Sequence, residues 1–82
     1  MLVHVRGDSM EPEIMDGDAL LVDLDVEPQP GRYVVATIGD RALVKRLRLR
    51  KGRLVLQSAS GAILSGEPEI VGVVREIRRT VL

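Results

Sequence analysis

Arg32-Tyr33-Val34-Val35-Ala36-Thr37-Ile38, then Gly39-Asp40, then Arg41-Ala42-Leu43-Val44-Lys45-Arg46-Leu47-Arg48-Leu49: the fold is decided by this stretch. The first run is apolar and rich in β-branched residues, which lose side-chain freedom in a helix and pack well on a pleated surface. The second run alternates apolar and charged residues. A Gly-Asp pair between two such runs fits a type II′ turn, in which glycine takes the positive φ of the first central position. The stretch predicts an antiparallel hairpin, Arg32–Ile38 against Ala42–Leu49.

Outward from this hairpin the pattern continues. Lys51-Gly52 marks a second tight turn, and Arg53–Ser58 reads as the next arm. Pro28-Gln29-Pro30-Gly31 leads into the hairpin from the other side. The turn Met15-Asp16-Gly17-Asp18 precedes the apolar run Ala19–Asp23, and Leu2–Arg6 alternates briefly. Residues 59–69 are small and polar with Gly and Pro, and read as loop; Ile70–Ile77 reads as a last strand. No stretch predicts a long helix, and there is no repeat. The expectation is a mainly β fold, a small twisted antiparallel domain of six to seven short strands, with residues 1–82 forming one domain.

A domain of this length buries about 60–65% of its unfolded surface, so its stability is expected to be modest. Cysteine is absent, so neither a disulfide nor a thiolate metal site can staple it. Pairing with a second copy is then the natural source of extra burial. The lack of cysteine also fits a cytoplasmic setting. Twelve Lys and Arg balance twelve Asp and Glu, which gives no overall pull toward nucleic acid or membrane. The balance hides an asymmetry: residues 8–27 carry acids and no base, and residues 41–53 carry bases and no acid. The apolar runs are far shorter than the roughly 20 residues of a membrane span, and Met1–Arg6 lacks the order of a signal peptide. Tyr33 is the single aromatic residue, which leaves base stacking poorly supported.

Two features carry possible chemistry. Gly7-Asp8-Ser9-Met10-Glu11-Pro12 places a serine in a turn, where serines commonly cap or close the backbone. Lys45 is out of place. Strand alternation puts it on the face of Leu43, Leu47 and Leu49, while Val44, Arg46 and Arg48 point the other way. One reading is a lysine that snorkels from under an apolar rim. The other is a general base. A free lysine titrates near ~10.4, so about one in a few thousand is neutral at pH 7. Burial disfavours the charged form and can make a neutral, proton-accepting amine accessible. A serine nearby would complete a Ser–Lys pair. His4 is the lone histidine, and any Ser-His-Asp arrangement would have to use it; a strand histidine is more commonly structural.

Taken together, Val5-Arg6-Gly7-Asp8-Ser9-Met10-Glu11-Pro12, Ile14-Met15-Asp16-Gly17-Asp18 and Leu20-Leu21-Val22-Asp23 resemble the nucleophile region of the LexA, UmuD and phage-repressor family of self-cleaving peptidases. Gly31–Ala36 followed by Val44-Lys45-Arg46-Leu47 resembles the strand pair that carries the family's lysine, and Val71–Val74 its closing strand. The resemblance implies that Ser9 is the nucleophile, Lys45 the base, and the backbone N–H groups of Asp8 and Ser9 the oxyanion donors. It implies no cofactor or metal, a homodimer paired around Ile70–Val81, and cleavage of an Ala-Gly or Cys-Gly bond in the same chain. It further implies stimulation by a RecA filament after DNA damage, in a transcriptional repressor that contacts DNA through a separate domain. Eight residues precede Ser9, so neither that DNA-binding domain nor the cleavage loop is expected within this stretch, and activity is expected in trans.

Rival readings use the same residues. Signal peptidases share a Ser-Met pair and a downstream Lys-Arg pair, but work from a membrane anchor. The domain could instead be a dimerisation module with an idle pair. Arg46, Arg48, Arg50, Lys51 and Arg53 form a basic cluster that reads as a solvated hairpin face rather than a nucleic-acid patch. Asp16, Asp18, Asp23 and Asp25 read as turn residues rather than a metal site.

Overall fold

The computed structural model describes residues 1–80. Its strands are β1 (Leu2–His4), β2 (Ala19–Asp23), β3 (Tyr33–Ile38), β4 (Arg41–Arg50), β5 (Arg53–Gln57) and β6 (Glu69–Arg78). They form one 6-stranded sheet in the order β1-β2-β6-β3-β4-β5, with every neighbouring pair antiparallel. No helix among the described residues is long and apolar enough to cross a membrane.

The deciding hairpin forms where the sequence places it. Ile38 pairs with Arg41 across Gly39-Asp40, and Gly39 has φ 59°. The second turn pairs Arg50 with Arg53, with Lys51 at φ 50° and Gly52 at φ 75°. Two consecutive positive φ values make it a type I′ turn, whose twist matches that of the strands.

β6 follows β5 in sequence but inserts between β2 and β3. It carries two extra residues. Val71 lies between the pairs Val35↔Gly72 and Ala36↔Ile70, and Arg75 between Val22↔Val74 and Leu21↔Glu76. Such bulges sharpen the local right-handed twist. Between them, β2 passes so close to Gly72 that a Cβ there would lie 2.6 Å from Val22 Cγ1 and 2.7 Å from the Asp23 carbonyl oxygen. Only glycine fits that crossing.

Alternation along β3 supplies two cores. Val35 packs with Met10, Ile14, Leu20, Val22 and Val74. Val34 and Ala36 pack with Leu47, Leu56 and Val73, and Leu64 from the 58–68 loop closes over them. The apolar face of β4 was expected to run through Leu49. It stops at Leu47: Leu49 is 58% exposed and its cross-strand partner Leu54 55%. The β4–β5 hairpin extends past the elements that cover the sheet, so its tip has nothing to pack against.

Candidate active site

Residues 7–17 form a loop with a closed neck. The Val5 N–H donates to the Asp18 carbonyl (2.9 Å) and the Gly17 N–H to the Val5 carbonyl (2.8 Å). Gly7 and Gly17 sit at the two sides of the neck with φ of 94° and 89°, which side-chain-bearing residues rarely adopt. The Gly7 N–H donates to Asp16 Oδ1 (2.7 Å). Inside the loop a single helical turn, with the Ile14 N–H donating to the Met10 carbonyl (3.0 Å), sends both side chains into the first core. Met10 is thus an anchor. It holds the preceding residue, Ser9, exposed at the lip of the loop.

From the opposite side, β4 delivers Lys45. It pairs with Val34 and shares the face of Leu47, as alternation predicts. The residue is 7% exposed. Its Nζ donates to Ser9 Oγ at 3.0 Å and to Ser58 Oγ at 3.0 Å. Burial holds the ammonium below the usual lysine value of 10.5, and the Arg41 cation pushes in the same direction. No carboxylate among the described residues forms an ion pair with it.

The structure therefore brings together the two residues that the sequence singles out. It adds a third, Ser58, which stands in the sequence at the end of the predicted strand Arg53–Ser58. Its place follows from the observed strand register: one step beyond Arg46↔Gln57 sets Ser58 opposite Lys45. The Asp8 and Ser9 carbonyls accept from the Glu11 N–H (3.0 Å) and the Ala59 N–H (3.1 Å). The Asp8 and Ser9 N–H groups donate to nothing among the described residues, and are available to a ligand. Ser9 borders a cleft of about 230 Å³ walled mainly by Val3, Val5, Met10, Val35, Leu43 and Val44. His4 lines the same cleft, but the hydrogen bond to Ser9 comes from Lys45.

The charge asymmetry has a structural outlet. Glu13 of the acidic loop accepts a short hydrogen bond from the Tyr33 hydroxyl. Arg46 of the basic strand lies 3.9 Å from the same carboxylate and 5.1 Å from the Tyr33 ring centre. These contacts brace the serine loop against β3 and β4. The turn reading of the aspartates also holds for Asp16 and Asp18. Asp16 caps Gly7, while Asp18, 1% exposed, accepts from the Met15 N–H (2.7 Å) and from Arg79 Nε and Nη2, both at 2.8 Å. The Arg79 hydrogen bonds hold its carboxyl below the usual carboxylate range, against the effect of burial. Arg48 donates to Gln57 Oε1 (3.1 Å), and Arg50, Lys51 and Arg53 are exposed, as on a solvated hairpin.

Fold and site together define a class: a small all-β domain in which a buried lysine on a strand meets an accessible serine on an anchored loop. Comparison with known proteins gives the family. A family model described as "Peptidase S24-like" matches residues 1–74, and the chain belongs to that family. It is 37% identical over 82 residues to LexA repressor 1 of Nocardia farcinica, covering 94% of this chain and 38% of that protein. It is 40% identical over 89 residues to the LexA repressor of Paracidovorax citrulli, covering 99% of this chain and 40% of that protein. The LexA repressor of Bordetella pertussis is 45% identical over 56 residues, which cover 67% of this chain and 26% of that protein. The chain is a LexA-repressor-like S24 peptidase domain, and it spans two fifths or less of the length of these relatives.

Proposed function

We propose that the chain is a serine endopeptidase domain that works through Ser9 and Lys45. The observation that carries this reading is a buried lysine within 3.0 Å of the hydroxyl of an exposed serine, with no carboxylate among the described residues paired to the lysine. In the proposed reaction, neutral Lys45 takes the Ser9 proton as Oγ attacks a peptide carbonyl carbon. The resulting oxyanion is stabilised by the free N–H groups of Asp8 and Ser9. Collapse breaks the C–N bond, Lys45 returns the proton to the leaving amine, and water then releases the acyl group from Ser9. Among the described residues, the outer edge of β4 from Arg41 to Lys45 has no strand partner, because β5 pairs only with Arg46–Arg50. An extended peptide could add along that edge and lay its bond across Ser9.

The wider role is proposed on the family's behalf: a repressor of a cytoplasmic DNA-damage response, cleaved at an Ala-Gly bond with RecA stimulation, working as a homodimer. β6 lies mid-sheet, so pairing around it would use side chains such as Ile70 and Ile77 rather than a strand edge. Val81, the far end of the expected dimer segment, lies outside the described residues.

The test supplies a peptide spanning an Ala-Gly bond in trans and follows its cleavage by mass spectrometry. Cleavage is expected to rise with pH, because deprotonation creates the base. Ser9→Ala, Lys45→Ala and Lys45→Arg are expected to be inactive while remaining folded; guanidinium keeps its proton in this range. A Ser9→Ala or Lys45→Arg variant that cleaves like the parent would refute the reading.

A further inference from the structure

Lys45 donates to two serines, and they differ in what surrounds them. Ser9 is exposed and borders the apolar cleft. Ser58 is half-buried and borders a separate polar pocket with Glu13, Arg46 and Gln57. Ser58 is also firmly mounted. Its N–H donates to the Ala62 carbonyl (2.9 Å), and its carbonyl accepts from the Gly61 N–H (3.0 Å). Gln57 Nε2 ties the Gly61 carbonyl (3.0 Å). The next residue, Ala59, donates to the carbonyl of Ser9 itself (3.1 Å), so the segment is fastened to the nucleophile's own backbone.

A neutral amine has one lone pair and two N–H bonds. To accept the Ser9 proton, the lone pair of Lys45 must point at Ser9 Oγ, so both N–H bonds must point elsewhere. On a flexible four-carbon stem nothing intrinsic enforces that orientation. A second partner that takes one of those N–H bonds does, and Ser58 Oγ sits at 3.0 Å. We propose that Ser58 is a positioning residue: it takes an N–H of Lys45 and thereby aims the lysine's lone pair at Ser9. The proposal rests on the reading of Lys45 as base, and adds the group that orients it. Of the charged groups, Arg41, on β4 itself, acts on the amine. Glu13 of the serine loop borders the Ser58 pocket and is engaged with Tyr33 and Arg46. Residues 58–61 of the facing loop carry no charge. Ser58 is thus the polar partner on that side.

The experiment measures covalent labelling of the 82-residue chain by a fluorophosphonate across a pH series, with the adduct located by peptide mass. In that reaction an Oγ–P bond forms, fluoride leaves, and the proton passes to Lys45. The parent is expected to label at Ser9 and Ser9→Ala not at all. Ser58→Ala should label Ser9 about tenfold more slowly at the high-pH plateau, since an unaimed base loses part of its usual contribution. Its midpoint should move acidward by roughly half a pH unit, because a hydrogen bond to the charged amine is stronger than one to the neutral amine and is now gone. Ser58→Thr should restore both. A role confined to packing would change the melting temperature and leave the midpoint in place. If Ser58→Ala matches the parent in plateau and midpoint while Ser9→Ala is dead, the positioning role is wrong and the Ser9–Lys45 reading stands. An adduct on Ser58 also overturns it. If the parent is inert, or if Lys45→Met labels like the parent, the underlying base assignment fails and the proposal falls with it.

Discussion

Replacing Lys45 by methionine should make the protein more stable as it removes the proposed activity. Methionine keeps the length and volume of the lysine stem, so the Val34–Leu47 face gains no cavity. Two hydrogen bonds from Nζ, to Ser9 and Ser58, are lost. At about 1.5 kcal/mol for each bond from a charged donor to a neutral, partly solvated hydroxyl, that costs roughly 3 kcal/mol. Against this, an ammonium that is 7% exposed and lacks a carboxylate partner is removed. The effective penalty for such a buried ion is several kcal/mol even after relaxation. The balance favours the variant by about 1 kcal/mol, or roughly 4–8 °C in melting temperature for a domain this small. Thermal melts followed by circular dichroism provide the assay, and pH provides a second axis. The folded-state value of Lys45 is lowered from 10.5. Below that lowered value both states of the parent bind the proton and the penalty is constant. Between it and 10.5 the unfolded chain binds more protons than the folded one, so the parent gains stability as pH rises. The advantage of Lys45→Met should therefore be largest near neutrality and shrink toward pH 10.5. A variant that melts below the parent at pH 7, or an advantage that widens with pH, would refute the reasoning.

Two further outcomes are expected elsewhere in the fold. Asp18→Asn should lower stability at pH 7 by about 1–2 kcal/mol in urea unfolding, discounted because Arg79 is half-exposed and can rehydrate. Since the Asp18 carboxyl is held below 3.8, the parent's extra stability is present above that value and disappears as pH falls through the lowered one. The gap between the two proteins should therefore close in acid. Gly72→Ala should cost about 1–3 kcal/mol by overpacking against Val22 and the Asp23 backbone; an unchanged melting temperature would show that β2 can yield at the crossing.

Strands and turns were legible in the sequence because each depends on a few consecutive residues. Gly39-Asp40 and Lys51-Gly52 encode their hairpins locally, and observed strand ends fall within two residues of those read from alternation. Strand partners are another matter. Nothing in Ile70–Ile77 says that it inserts between β2 and β3, because that choice depends on which surfaces remain to be buried. Lys45 was legible because a charge interrupted a periodic apolar face. Ser58 was not, because a serine at a strand end before a polar loop breaks no pattern; only the register across β4 and β5 gives it meaning. Leu49 shows the converse limit. Alternation says which way a side chain points, but not whether anything lies there to meet it. Met10 and Ile14 were hidden for a similar reason, as one helical turn inside a loop is too short to have a period.

The insertion of β6 into the middle of the sheet also sets an order of events. Without it the ladder falls into two unconnected pieces, β1–β2 and β3–β4–β5. Ser9 belongs to the first piece and Lys45 to the second. As the chain leaves the ribosome, both residues emerge long before the strand that joins their halves. Until β6 is in place no ladder joins the serine's half to the lysine's, and only the contacts of the serine loop, Glu13 with Tyr33 and Arg46, Met10 with Val35 and the Ser9 carbonyl with Ala59, can hold the pair together.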